Sequence, residues 1–333
     1  MVSNVIASAP GKVVLCGEYA VLDAAPAIAM AVDRRARATL AISNEASSVV
    51  TAKAYTKNIG RFQTRDGSIE WQEGQQYFGV IDSVWRAAEL SESRAMSIEL
   101  DSSEFIDSNS HSKLGVGSSA AITVALCAAV GGTADIEKIG PTARRAHLDL
   151  QDGAGSGVDI ACSLNGGLIE YRMAGQTVTP ISWPQGLFWR LIWTGVAAST
   201  RDKISKLDAT VSKPSRTGLA DASESMMLAW RCGSADRVMS EYGHYIEQLR
   251  EFSIDHELGI FDAGHNDIHS AASAANLVYK PCGAGGGDVG IVFSRSAAEL
   301  DVFAKQLPDK YTVLDCQLSK TGVLIEEMKI EQA

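Results

Sequence analysis

Two stretches of nearly bare backbone limit what this chain can fold into. They are KLGVGSSAA, from Lys113 to Ala121, and KPCGAGGGDVGIVF, from Lys280 to Phe293. In the second, four glycines fall within five positions. Glycine marks places where the chain must take a positive φ, or where something approaches the main chain closely. The first stretch runs into AAITVALCAAVGG, a helix pattern closed by Gly131 and Gly132. The second runs into the strand-like VGIVFS. A glycine loop that opens a helix points successive N–H groups, and the helix dipole, at an anion. Ser118 and Ser119 add hydroxyls suited to phosphate or Mg²⁺, although the same residues also suit a plain helix N-cap.

Other readings of these glycines fail on context. GVGSSA satisfies G-x-G-x-x-A, and Asp135 follows about twenty residues on, as in a dinucleotide fingerprint. That fingerprint must follow a buried parallel strand, and the preceding FIDSNSHSKL is polar. GGGDVG is followed by a strand where a helix is required. Neither stretch is a Walker loop, because no G-K-[ST] follows the glycines.

Composition narrows the ligand. The 333 residues suit two domains or one large one. A formal net charge of −10 argues against nucleic acid and anionic membrane surfaces. An anionic small molecule needs locally gathered cations. The six cysteines form no C-x-x-C pair and read as free thiols in a reducing compartment. MVSNVIASAPGK does not resemble a signal peptide, and the longest apolar run is too short to span a bilayer. The expectation is a cytoplasmic protein, monomeric or homodimeric, that binds neither nucleic acid nor membrane.

The first hundred residues are rich in short β-branched runs, with a helix expected over 77–90. ARRAHLDLQ reads as a further helix, GAGSG as a loop, and GLIEYR and FWRLIWTG as strands. From about Thr217 to Asn276 the pattern is helical, and the end of the chain reads β-α-β-β. This is an α+β pattern with a composition shift near 180–215. His265 and His269 have zinc-like spacing, but Asn266 stands where a metalloprotease needs glutamate, so they read as helix-face histidines. Trp183, Trp189 and Trp193, and the stripe Met226, Met227 and Trp230, read as core packing.

A third stretch, APGKVVLCGEYAVLDAAPAIAMAV (Ala9 to Val32), completes a pattern. In order and spacing, the three stretches resemble the signature motifs of the GHMP kinase superfamily. GEYAVL, KLGVGSSAAITVA, GAGSGVDIACSLNGGLIEY, WTGVAASTRDKI and KPCGAGGGD are each similar to the phosphomevalonate kinase group. Cys282 stands where that group usually has serine, and it is given no role.

The resemblance implies a two-domain fold. Residues 1–185 would form an N-terminal domain like ribosomal protein S5, and 186–333 a ferredoxin-like C-terminal domain, with the site in the cleft between. It implies ATP and Mg²⁺ as cofactors and phosphorylated mevalonate as substrate. Asp159 and Lys12 match the catalytic pair. Lys113, Gly115, Gly117, Ser118, Ser119 and Ala120 match the nucleotide loop, with Ser119 toward the metal. Lys12, Glu18, Tyr19, Ser156, Arg201, Gly285 and Gly286 are the implied substrate contacts. Leu148 stands where mevalonate kinases carry a magnesium-binding glutamate, so no second metal ligand is assigned. A carboxylate can orient or deprotonate an acceptor oxygen, and an ammonium can stabilise the transferring group. Lys113, Lys203 and Lys280, with Lys12 and Arg201, are the cations available to two anionic substrates. Rival readings are mevalonate kinase or another small-molecule kinase of this superfamily, and a silent ATP-binding sensor on the same fold.

Overall fold

The computed structural model describes every residue except 1, 55, 91–93, 154, 199–202, 204–205, 208–212 and 331–333. In chain order the strands are β1 (Val2–Cys16), β2 (Ala27–Ile42), β3 (Ser48–Lys53), β4 (Gly60–Arg65), β5 (Ser68–Glu73) and β6 (Met96–Asp101). They continue with β7 (Leu168–Arg172), β8 (Thr177–Ile181), β9 (Phe188–Trp193), β10 (Val278–Pro281), β11 (Val289–Ser294), β12 (Thr312–Leu314) and β13 (Leu324–Ile330). The helices are α1 (Gly79–Ala88), α2 (Ser118–Gly131), α3 (Ile136–Leu150), α4 (Val158–Asn165), α5 (Pro214–Cys232), α6 (Ala235–Asp255), α7 (His265–Ala274) and α8 (Ala297–Gln306).

A nine-stranded sheet has the order β13-β1-β2-β6-β3-β4-β5, with β7 and β8 attached along the first part of β2. The long β2 serves two neighbours: residues 27–30 pair with β7, and 37–42 pair with β6. A four-stranded antiparallel sheet has the order β10-β11-β9-β12. β13 returns to pair with β1, so the chain ends in the sheet where it began.

The expected helix over 77–90 is α1, Gly79–Ala88. α2 is apolar on nearly every side and is buried against β1 and β2, which suits an alanine-rich helix. It stops at Gly132, whose left-handed φ closes the last turn. One core cluster crosses from Val13, Leu15 and Met30 of the first sheet to Leu191 and Phe293 of the second. Met226, Met227 and Trp230 of α5 lie between them, as the sequence pattern implied. Trp183 packs edge-on against Trp230 at 5.3 Å.

One buried polar node ties these parts together. Lys280, on β10, is fully buried and forms an ion pair with Glu18, just beyond β1. Tyr245 of α6 donates to the other Glu18 carboxylate oxygen at 2.6 Å, and the Gly17 N–H donates to the Tyr245 hydroxyl at 2.8 Å. Burial alone would lower the Lys280 pKa, but the Glu18 carboxylate outweighs it and the ammonium is held charged. Removing one partner leaves the other charge buried alone. Lys280→Met should therefore destabilise the fold by about 3–5 kcal/mol in chemical denaturation. The double variant Lys280→Met/Glu18→Gln should recover much of that loss. A single-variant loss below about 1 kcal/mol would show that the pair behaves as an exposed one.

Candidate active site

The Ala9–Val32 stretch places Lys12 through a local irregularity in β1. The β1–β2 register shifts between Pro10 and Gly11, and such a bulge re-aims the side chains beside it. A Cβ on Gly11 would lie 2.4 Å from the Val116 carbonyl oxygen, so only glycine lets β1 come this close to the Lys113–Ala121 stretch. The Lys12 N–H then donates to the same oxygen at 2.8 Å.

Asp159 sits in the first turn of α4, which begins after Gly157 in a left-handed conformation. Its carboxylate does not cap the helix. It meets the Lys12 ammonium at 2.9 Å, with both side chains partly covered. Burial pulls the Lys12 pKa down, but the charge and hydrogen bond of Asp159 more than reverse this, and it ends above its ordinary value.

Two cavities share this pair. One is lined by Lys113, Gly115, Gly117, Ser118, Ser119 and Ala120 at the start of α2. It encloses about 790 Å³ including its open mouth. Gly117 has φ +86° at the helix cap, and a Cβ there would press on the Lys12 side chain at 3.0 Å. The second cavity is lined by Glu18, Tyr19, Ser156 and their neighbours. Lys12, Val14, Asp159, His147, Gln151, Gly283 and Ala284 line both.

The expected substrate contacts are only partly gathered here. Tyr19 lines the second cavity at φ +61°, and its hydroxyl donates to the Ala284 carbonyl at 2.7 Å. Ser156 lines it too, its carbonyl accepting from Tyr171 at 2.7 Å. Glu18 contributes to the wall, but its carboxylate is engaged by Lys280 and Tyr245. Gly285 and Gly286 line neither cavity and turn toward the 258–260 segment. A Cβ on Gly285 would lie 2.5 Å from the Ile260 oxygen, and the Gly286 N–H donates to that oxygen at 2.7 Å. Gly283 and Ala284 face the site in their place.

The cation set is also smaller than expected. Lys280 is buried against Glu18, and Lys203 donates to the Leu258 and Gly259 carbonyls at 2.6 and 3.3 Å. Lys12 and Lys113 line the glycine-loop cavity. Arg201 lies outside the described residues.

Asp288 is a wall residue the sequence reading missed. Its carboxylate lies against Gly115, where a Cβ would come within 2.2 Å of it, and it accepts from the Ala198 N–H at 3.0 Å. Burial pushes its pKa up, partly offset by that hydrogen bond and by Lys12, Lys113 and Lys203. The signal available was the aspartate closing the GAGGGD run.

Oxygen donors suit Mg²⁺, and Ser118, Ser119, Asp159 and Asp288 all line the glycine-loop cavity. Among the described residues no group of three His, Cys, Asp or Glu forms a metal cluster. This donor set fits an ion held chiefly by phosphates and water.

No protein-family model matches the chain. A phosphomevalonate kinase of Streptomyces sp. (strain CL190) is 28% identical over 90% of this chain and 92% of its own. The mevalonate kinase of Thermococcus gammatolerans is 26% identical over 98% and 99%. A Streptococcus pneumoniae phosphomevalonate kinase, solved with phosphomevalonate and AMPPNP, has the same fold. It superposes with a TM-score of 0.76 at 18% identity, over 94% of this chain and 99% of its own. In sequence and in fold the chain is similar to the GHMP kinases. This kinase is a phosphotransferase similar to phosphomevalonate kinase, and its relatives make it a kinase of the mevalonate pathway. No helix among the described residues is long and apolar enough to cross a membrane.

The Lys280–Phe293 stretch is held from behind by His265. Its Nε2 donates to the Gly287 carbonyl at 2.8 Å, which fixes the tautomer, and its Nδ1 accepts from the Tyr279 hydroxyl at 2.7 Å. His269 Nδ1 lies 3.0 Å from the Tyr279 carbonyl, so the two histidines serve β10 and the loop. Burial lowers the His265 pKa to about 4. A histidine neutral when folded takes up protons on unfolding below pH about 6.5. Its contribution is therefore full above that pH and is lost as pH falls toward 4. Unfolding titrations from pH 7 to 4 should show this decline, and His265→Gln should flatten it. A wild-type curve flat across that window would place the histidine in water.

Proposed function

We propose that this kinase transfers the γ-phosphoryl group of ATP to phosphomevalonate, giving diphosphomevalonate. The observation that carries the reading is the Lys12–Asp159 ion pair, at 2.9 Å, on the shared wall of the two cavities. In-line transfer needs a donor and an acceptor that meet end to end. We assign the cavity at Gly115, Gly117, Ser118, Ser119 and Ala120 to the nucleotide phosphates. Backbone N–H groups and the dipole of α2 would hold them there. Mg²⁺, when bound, neutralises charge on those phosphates, with Ser119 the protein oxygen nearest its place in the family motif.

The cavity at Tyr19 and Ser156 takes the acceptor. A phosphomonoester is largely dianionic near neutral pH, since its second pKa is about 6. Asp159 then orients the attacking oxygen more than it removes a proton, while the Lys12 ammonium stabilises charge on the transferring group. The acceptor phosphate needs a further cation, and we keep Arg201 for it on the sequence resemblance alone. We read 1–185 and 186–333 as the two lobes, with β13 crossing back to the first, in a cytoplasmic enzyme. The motifs similar to the phosphomevalonate kinase group support this acceptor over mevalonate, while similarity along the chain extends to kinases of both kinds.

ADP release measured with phosphomevalonate and with mevalonate tests the assignment. Efficient turnover of mevalonate with none of phosphomevalonate would overturn it. Asp159→Asn should lower kcat by about 10²–10⁴-fold with little change in nucleotide affinity. A variant with near wild-type turnover removes Asp159 from the mechanism. Gly117→Val should abolish ATP binding in calorimetry, because the side chain would fill the cradle and strain a left-handed position. Unchanged affinity would mean that the phosphates bind elsewhere.

A further inference from the structure

Seven residues line both cavities, and five of them belong to the signature stretches. The other two, His147 and Gln151, carry no assignment. They lie four residues apart in sequence, His147 in the last turn of α3 and Gln151 at its C-terminal cap, on one helix face. If phosphoryl transfer occurs where the cavities meet, these two side chains border the reacting groups.

His147 has a second peculiarity. It is 4% exposed, and its Nε2 is buried with no hydrogen-bond partner among the described residues. Buried polar atoms are nearly always paired, and an exception calls for a reason. Burial lowers the His147 pKa, and Lys12 lowers it further against the opposing pull of Asp159. The ring is therefore neutral and brings hydrogen-bonding capacity without adding charge. Gln151 is fixed differently: its side-chain oxygen lies against Gly155, where a Cβ would come within 2.3 Å. A side chain at position 155 would have to displace this amide.

We propose that His147 is an acceptor-binding residue whose unpaired ring nitrogen is satisfied by the bound phosphorylated acceptor, with Gln151 completing the same wall. The proposal rests on the phosphoryl-transfer reading of the site. It deepens that reading by giving the acceptor a neutral contact beside the charged pair. The reason for a neutral contact is electrostatic. A second cation next to Lys12 would compete for Asp159, while a second carboxylate would repel the acceptor phosphate.

The test compares His147→Leu with His147→Gln, whose amide nitrogen reaches the place of Nε2. Each is measured for kcat and KM on both substrates and for thermal unfolding without ligands. Losing a hydrogen bond to a charged group should lower kcat/KM for phosphomevalonate about 10- to 100-fold in His147→Leu. KM for ATP should stay within about twofold, and His147→Gln should regain most of the loss. The ligand-free Tm of His147→Leu should be unchanged or higher, because an unpaired buried polar atom has been removed. A purely structural histidine behaves in the opposite way. A lowered Tm, no rescue by glutamine and equal losses on both substrates would overturn the proposal. Retention of kcat/KM within about threefold in His147→Leu would overturn it too. Wild-type assays on mevalonate separate the two readings. If mevalonate is the true acceptor, the phosphomevalonate assignment falls and the histidine is scored on mevalonate by the same criteria.

Discussion

The Lys280 ammonium and the Glu18 carboxylate face no water, and each is tolerable inside the protein only because the other is there. Two ions taken out of water cost several kcal/mol each, regained only with good geometry and further hydrogen bonds. Here Tyr245 supplies the additional donor to Glu18. The pair comes from opposite ends of the chain: Glu18 follows the first strand, Lys280 lies on the second sheet, and Tyr245 projects from a helix between them. One electrostatic requirement thus fixes three elements together. It sits directly behind the turn that carries Tyr19, whose hydroxyl reaches across to Ala284. A left-handed tyrosine costs about 1–3 kcal/mol of backbone strain, and the buried surroundings hold it in place.

The site follows from this framework because each glycine stretch spends its freedom on close approach. Gly11 lets β1 touch the Val116 carbonyl, Gly117 lets α2 begin against Lys12, and Gly115 makes room for Asp288. Gly285 and Gly286 use their freedom against the 258–260 segment, and His265 braces Gly287 from the far side. The loop is thereby anchored at its C-terminal half, while Gly283 and Ala284 at its start face the cavity. Lysines follow the same logic. Lys280 lies on the inner face of β10 and is consumed by structure, whereas Lys12 is re-aimed by the register shift in β1 and meets Asp159.

Some features were written in the sequence and passed over. The hairpin β4–β5 turns at Asp66-Gly67, both at positive φ, and an Asp-Gly pair between alternating runs is a strong local hairpin signal. α3 begins at Ile136, capped by Asp135, seven residues before the legible ARRAHLDLQ pattern begins. Pro141 within it masks the start, since proline usually argues against a helix interior. α4 is eight residues long and bounded by glycines, too short for its periodicity to stand out from the loop before it.

By itself the sequence determined the glycine loop that opens a helix, the strand after the glycines of 283–287, the apolar helices of the core and the resemblance to a kinase family. These follow from local rules, in which φ freedom, hydrophobic period and motif order all act over a few residues. Only the tertiary structure decided which cations remain for a ligand, which glycines face the cavity, that Asp288 covers Gly115, and that His147 stands unpaired at the junction. The last strand's return to the first sheet belongs to the same class. Each depends on contacts between residues far apart in the chain. A lysine spent on a buried glutamate and a lysine left beside an aspartate look alike until the fold sets their distances and removes their water.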